Sequence, residues 1–449
     1  MHIKSLALVA AAVMTAGAAQ ASDLNKPAKV AVDYVKVCDA YGAGFFYIPG
    51  SDTCLKISGF ARADFYTAGQ SKSSVFGNTG MNVNRGTNAF ATGVRGDVTF
   101  DARTNTSFGL LKSFIEAHTN LASSKSNSAQ TYVELDNAYV QLGGLTAGRT
   151  TSKFNFGNAE QANQEYKFEL FPDYSVNLLA YTFAFGNGIT ATLSIEDPTT
   201  AGYQTTNSTG PGSNVRYYNA AAATGATPAQ LAAAGSFQYG ALNVPDVVAN
   251  INVTQAWGEA QLAVAYHQVY GSVATPYTKG GFATFGGVLF NIPQLGAGDT
   301  IGIEGGYALG DAGSIFSGGL LGAGDIGTDA AVVNGSLKLS SAWTVGAVFN
   351  HNFSSNLAFH GSVGYYGWQN TVNSLGATPT SVATKASFGL TEVSAQLDWQ
   401  PVKNFHVMPD VEVRSANLNA ATKAAQTAAG ASNANGTSYV FGVRLQRNF

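Results

Sequence analysis

From residue 55 to the carboxyl terminus, apolar positions alternate with polar or small ones in segments of about ten residues. Leu55, Ile57, Ala61 and Phe65 interleave with Lys56, Ser58, Arg62 and Asp64. Ile189, Ala191, Leu193 and Ile195 interleave with Thr190, Thr192, Ser194 and Glu196, and Val393 to Trp399 repeat the pattern. A period of two puts each apolar set on one face of a strand. The pattern predicts sixteen strands: 55–66, 91–103, 107–119, 131–142, 144–150, 176–186, 188–197, 247–256, 259–270, 281–292, 299–310, 342–353, 357–369, 387–400, 403–416 and 437–449. Soluble strands average about 5–6 residues, whereas strands that cross a bilayer at a tilt need about 9–11. Tight turns follow the even-numbered segments, among them Thr104–Thr106, Gly143-Gly144, Asn187-Gly188 and Pro401-Val402. Long Gly/Ser/Ala/Asn-rich loops follow the odd ones. Short turns on one rim, long loops on the other and an even strand count describe a transmembrane β-barrel. In lipid every backbone N–H and C=O needs a partner, so such a sheet must close on itself. Sixteen strands enclose a lumen too wide for side chains to fill, and it holds water.

Composition narrows the picture further. Charged residues make up 11% of the 449, against about 25% in ordinary soluble chains. Apolar residues reach 45%, aromatics 11%, and glycines number 52, which excludes a disordered chain or a coiled coil. A formal net charge of −3 without a Lys/Arg block argues against a nucleic-acid partner. The apolar run of residues 6–19 is too short for a helical span. With Lys4 before it and Ala19-Gln20-Ala21 after it, residues 1–21 read as a cleaved signal peptide. Residues 22–54 then form an amino-terminal segment and 55–449 the barrel. Export places Cys38 and Cys54 in an oxidising compartment, and no other Cys or nearby His offers a metal site. They are expected to form a disulfide across a turn-rich loop, which contributes roughly 3 kcal/mol by chain entropy.

Motifs that would carry chemistry lack their context. Gly322 to Gly327 matches G-x-G-x-x-G, but no strand–helix unit surrounds it, so no cofactor is expected. Arg95-Gly96-Asp97 lies mid-strand with its charges toward the lumen. The six His are scattered, His351 and His360 fall on opposite faces of one hairpin, and no metal spacing or G-x-S-x-G occurs. The chain is not expected to be an enzyme. Thr227 to Gly235 has the signals of a short helix in the fourth long loop.

The last segment puts Tyr439, Phe441, Val443, Leu445 and Phe449 on one face and stops on an aromatic carboxyl terminus. This ending resembles the signal read by the outer-membrane barrel assembly machinery, with Phe449 as the terminal aromatic. Residues 34–62 (YVKVCDAYGAGFFYIPGSDTCLKISGFAR), the turn Leu289 to Thr300 and the final SYVFGVRLQRNF resemble the alphaproteobacterial porins. The resemblance runs the length of the mature chain, with the loops least alike. It implies an all-β, 16-stranded antiparallel barrel in the bacterial outer membrane. It further implies a homotrimer for general diffusion of small hydrophilic solutes and ions, whose third long loop folds inward.

That loop is 151–175. It carries Glu160, Glu165, Glu169 and Asp173 against Lys153 and Lys167, and Asn158–Gln161 forms a capping box for a short helix. Residue pattern alone leaves it either outside or inside; the porin resemblance folds it inward, its acids facing basic wall residues. By strand register the lumen-facing basics are Lys56, Arg62, Arg95, Arg103, Lys112, Arg414 and Arg444. Arg149 shares parity with outward Leu145 and Ala147, and only the resemblance adds it to the pore wall. Four acids against two lysines predict weak cation selectivity. A substrate-specific channel would need an aromatic track, and lumen-facing Phe60, Tyr366 and Trp368 are too few and too separated for one. A non-conducting barrel, an enzyme or adhesin, is the other alternative. The expected partners are solutes, outer-membrane lipid, further copies of the chain and the assembly machinery.

Overall fold

Alternation becomes strand in the computed structural model, which describes residues 36–70, 89–123, 129–156, 171–200, 216–219, 237–239, 242–270, 278–316, 329–333, 336–373, 383–420, 423 and 436–449. The barrel strands are β1 (Cys54–Gln70), β2 (Phe90–Thr106), β3 (Gly109–Ser123), β4 (Ala129–Leu142), β5 (Leu145–Thr151), β6 (Ser175–Gly186), β7 (Ile189–Asp197) and β8 (Asp246–Gln255). They continue with β9 (Gly258–Tyr270), β10 (Thr278–Asn291), β11 (Thr300–Leu309), β12 (Ser341–Ser354), β13 (Leu357–Asn373), β14 (Ala383–Val402), β15 (Phe405–Leu418) and β16 (Gly436–Asn448). Each pairs antiparallel with its chain neighbours, and β16 pairs with β1 from Phe60↔Asn448 to Gln70↔Ser438. The sheet is therefore closed, as a backbone in lipid requires. Every predicted strand is present, with its ends within four residues of expectation.

The outward face is apolar. Leu193, Ile251, Leu262, Ile303, Val345 and Val363 are exposed along its middle. Exposed aromatics gather toward the two rims: Phe108, Phe185, Trp257, Phe290 and Trp399 by the short turns, and Tyr266, Phe282, Tyr307, Tyr365 and Tyr439 by the long loops. Two such girdles are what the water–lipid boundaries select. Among the described residues no helix is long and apolar enough to cross a membrane.

The turns follow local chemistry. Asn187 (φ 51°) and Gly188 (φ 73°) form the left-handed pair that a two-residue hairpin demands. Two expected turns move. Thr104–Thr106 stays in β2 and the chain reverses at Ser107-Phe108, where the Phe108 N–H donates to Thr106 Oγ1 at 3.1 Å. Pro401-Val402 belongs to β14, and the reversal falls at Lys403-Asn404, since Asn404 (φ 62°) takes the left-handed conformation. The register slips between Trp399 and Val402, an irregularity that accommodates a proline without an N–H.

At the short-turn rim the amino-terminal segment extends the wall. β16 ends at the level of Gly59, leaving the edge of β1 open below it. There Phe46-Tyr47 pairs with Leu55 and Cys54, and Val37 bridges to Phe46. Cys38 and Cys54 are disulfide-bonded and sit in a small core with Phe45, Tyr41 and Tyr47. The signal-peptide residues 1–21, the Thr227–Gly235 helix and the Gly322–Gly327 motif lie outside the described residues.

Candidate pore constriction

The lumenal face carries a charged region and an apolar one, which meet along β14 and β15. On β14–β16 and β1–β4 the inward positions carry acids and bases side by side. Arg444 Nε donates to Asp64 Oδ1 at 2.8 Å, and Arg62 lies 3.3 Å from the same carboxylate. Arg414 pairs with Glu392 at 3.2 Å and with Glu412. Arg95 donates to Asn120, and His118 bridges Asp97 and Glu134. Nearest the short turns, Arg103 grips Asp101 through Nε and Nη2 at 2.9 and 2.7 Å, with Lys112 3.7 Å from the same carboxylate. These positions share the face opposite the exposed Val94, Val98, Phe100, Val411 and Val413, which sets their side chains on the lumen side. Arg62, Arg95, Arg103, Lys112, Arg414 and Arg444 share this face.

Arg149 does not. It pairs with Ala138 and Asn177 on the face that exposes Leu145 and Leu179. Its Nε donates to the Leu135 carbonyl at 2.8 Å and Nη1 to the Thr200 carbonyl at 2.6 Å. The parity of β5 outweighs the likeness that placed this residue in the pore. Arg149 braces the outer side of the wall, tying β4 to the segment after β7.

The apolar wall is covered from within. β5 stops after seven residues, and the chain turns inward at Ser152 instead of continuing past the rim. Ser152 Oγ donates to Glu196 Oε2 at 2.6 Å, and the Lys153 N–H donates to Glu196 Oε1 at 2.9 Å. Ser152 Oγ also accepts the Phe154 N–H at 3.1 Å, a hydroxyl-closed turn. The returning stem joins here, with the Ser152 N–H on the Tyr174 carbonyl at 3.1 Å. Beyond this knot the loop reaches distant strands. Asn250 Nδ2 of β8 donates to the Lys153 carbonyl at 2.6 Å, and Gln261 Nε2 of β9 to the Asn155 carbonyl at 2.8 Å. The rings of Phe154 and Phe171 stand 6.2 and 6.0 Å from that of Phe285 on β10. Gly346 of β12 leaves the notch: a Cβ there would meet Phe171 Cζ at 2.7 Å. Both stems of the third long loop therefore lie inside the barrel, against a wall several strands from their roots.

The sixth long loop joins them. Its short helical turn Ala312–Ile315 and Phe316 are buried in the same cluster, and Phe316 packs on Tyr366 with ring centres 4.4 Å apart. Tyr366 and Trp368 lie 5.7 and 6.0 Å from Phe388 and are fully buried, so they form one patch beneath the loops and not an open track. Phe60 stands apart, beside Arg62. Sequence reasoning missed this apolar lumenal half. The signal was present in the inward positions of β13–β15, where Tyr366, Trp368, Phe388, Leu390, Ala416 and Leu418 break the polar-in rule.

Partial burial lowers the Lys153 amine, and Glu196 partly restores it. Burial raises the Asp311 carboxyl and pushes that of Asp329 up to about 6. Asp311 accepts from Ser314 Oγ at 2.6 Å and Asp329 from the Ala312 N–H at 2.7 Å, which seats the sixth-loop turn. Of the expected constriction acids, Asp173 sits on the returning stem; Glu160, Glu165 and Glu169 lie outside the described residues, as does the capping box. Among the described residues no group of His, Cys, Asp or Glu has the arrangement of a metal site.

The sequence profile of a porin subfamily matches residues 24–443. The chain is 31% identical over 285 residues to porin Omp2b of Brucella suis, covering 60% of this chain and 67% of that protein. It is 34% identical over 212 residues to porin Omp2b of Brucella abortus, covering 44% of this chain and 54% of the relative. Among solved structures, the outer membrane channel DcaP of Acinetobacter baumannii superposes with a TM-score of 0.61 at 14% identity, over 90% of this chain and 99% of that one. That last likeness is one of fold.

Proposed function

The chain belongs to this porin subfamily and is an outer-membrane porin for general diffusion, and from that premise we propose that its third long loop sets the size and charge of the passage. The observation that carries the reading is the knot at Glu196, from which both loop stems run into the lumen. With the apolar part of the lumen covered by loops, water and solutes pass along the charged positions that stay partly exposed, Arg62, Arg103 and Lys112 among them. There, the loop acids set across from the basic wall residues produce a field across the passage, which favours dipolar solutes and keeps water ordered against apolar ones. The loop acids Glu160, Glu165, Glu169 and Asp173 outnumber Lys153 and Lys167, so the constriction carries a small negative excess and passes cations slightly better. Charges in a narrow, low-dielectric throat are screened less than charges on a surface.

The family's organisation supports three further assignments. Three copies assemble through their apolar outer faces, the assembly machinery reads the Phe449 ending, and residues 1–21 are removed on export. Channel formation by the purified trimer is tested in a planar bilayer under a salt gradient. Open steps with a zero-current potential of cation sign are expected. Absence of steps overturns the channel, and an anion sign overturns the charge assignment.

A further inference from the structure

The short-turn mouth carries a second charged feature, far from the constriction loop. Arg103 and Lys112 share the single carboxylate of Asp101, at 2.7 and 3.7 Å, leaving an excess positive charge at a lumen-facing position. Asp101 occupies only the Nε/Nη2 edge of the guanidinium. The opposite edge, with Nη1, donates to no described residue, and about a quarter of the side chain is exposed (27%). Aromatic surfaces flank both cations. The guanidinium carbon lies 5.0 Å from the ring centre of Phe45 and 5.9 Å from that of Tyr41. Lys112 Nζ donates to the Tyr139 hydroxyl at 2.8 Å. Phe45 and Tyr41 are brought here only because the Cys38–Cys54 loop folds onto the lumenal side of β1 and β2.

We propose that this cluster is a binding subsite for small planar anions, aromatic carboxylates above all, at the periplasmic mouth of the channel. An open guanidinium edge presents two parallel N–H donors at carboxylate spacing, a geometry that a lone ammonium lacks. The ring of such a ligand lies against the partly exposed Tyr41, with aromatic contact adding to the charge. Anions leaving or entering at this rim therefore dwell at Arg103, in series with the constriction.

The inference rests on the conducting channel, and conductance in potassium chloride alone tests that premise separately. The test is block of single-channel current by sodium benzoate, with sodium acetate as the non-aromatic control. Benzoate is expected to reduce the open current at concentrations at least fivefold below acetate, and more strongly when added on the short-turn side. Arg103→Gln should raise the half-blocking concentration at least fivefold, and Tyr41→Ala, a substitution in the half-exposed loop that leaves the barrel ladder intact, by two- to threefold. Equal block by benzoate and acetate overturns the aromatic assignment, and wild-type block of Arg103→Gln or Tyr41→Ala trimers overturns the subsite.

Discussion

Gly59 and Phe449 exchange both backbone hydrogen bonds, Phe449 N to Gly59 O at 3.0 Å and Gly59 N to Phe449 O at 3.3 Å. This pair is the last rung of the β1–β16 seam, and below it the amino-terminal segment takes over the edge of β1. On its other side, a Cβ at Gly59 would stand 2.1 Å from the Asp97 carbonyl oxygen of β2, so no larger residue fits here.

Deleting Phe449 removes this rung together with an exposed terminal aromatic. Assembled protein should fall severalfold in the outer membrane, read as the band that shifts on heating in a denaturing gel. Gly59→Val should do the same by forcing β1 away from the β2 backbone beside the seam. Normal amounts of either variant would show that the seam end is dispensable.

The Cys38–Cys54 disulfide closes a loop held by only a small core. Replacing both cysteines with serine should destabilise the rim segment by about 3 kcal/mol on the chain-entropy estimate while leaving the barrel folded. Protease cleavage within residues 36–53 should appear in the double variant and not in the wild type. Equal resistance would contradict a stabilising role.

Glu196 accepts two hydrogen bonds from the loop, and a carboxylate can accept both where an amide cannot. Glu196→Gln turns one acceptor into a donor facing a donor, and loss of a charge-assisted bond costs about 1.5–3 kcal/mol. The open channel should become noisier and its conductance should rise. Gly346→Val, whose Cβ would meet Phe171 Cζ at 2.7 Å and the Val363 carbonyl oxygen of β13 at 2.6 Å, should reproduce that change from the far wall. Wild-type conductance and noise in both variants would show that the stems do not position the constriction.

Neutralising Glu160, Glu165, Glu169 and Asp173 together should move the zero-current potential in a salt gradient toward the anion sign. If conductance and selectivity both stay at wild-type values, these acids do not line the passage.

The Asp329 carboxyl is raised to about 6, above the ordinary aspartate value, by burial in a pocket shared with His267, Asp246 and Asp311. The folded state therefore holds the proton more tightly than an opened loop does. Stability of the seated turn is fully present below about pH 4 and is lost as pH rises through about 6. Lowering pH from 7 to 5 should increase amide protection of Gly310–Phe316 about tenfold after correction for intrinsic exchange rates. Asp329→Asn should flatten that dependence; an unchanged slope would assign it to another group.

Alternation alone determined the strands, their count and which face meets lipid, because a closed barrel in a bilayer leaves each strand one repeating choice between lipid and lumen. The lumenal parity of Arg62, Arg95, Arg103, Lys112, Arg414 and Arg444 follows from the same local reason, and the Cys38–Cys54 bond from two lone cysteines in an exported chain. Turn positions were less so: Lys403-Asn404 won on the left-handed conformation of Asn404 and Ser107-Phe108 on a bond to the Thr106 hydroxyl, while the residues beside them looked equally turn-like. Tertiary structure alone decided what fills the lumen. Phe154, Phe171 and Phe316 come from loops with no periodicity, and the strand residues that receive them are remote in sequence. Period-two reasoning assigns Tyr366 and Trp368 to the lumen but cannot say whether water or another loop covers them. Arg149 shows the converse: its register was readable from β5, and only the backbone carbonyls of Leu135 and Thr200, brought together by the closed wall, reveal what an outward arginine does there.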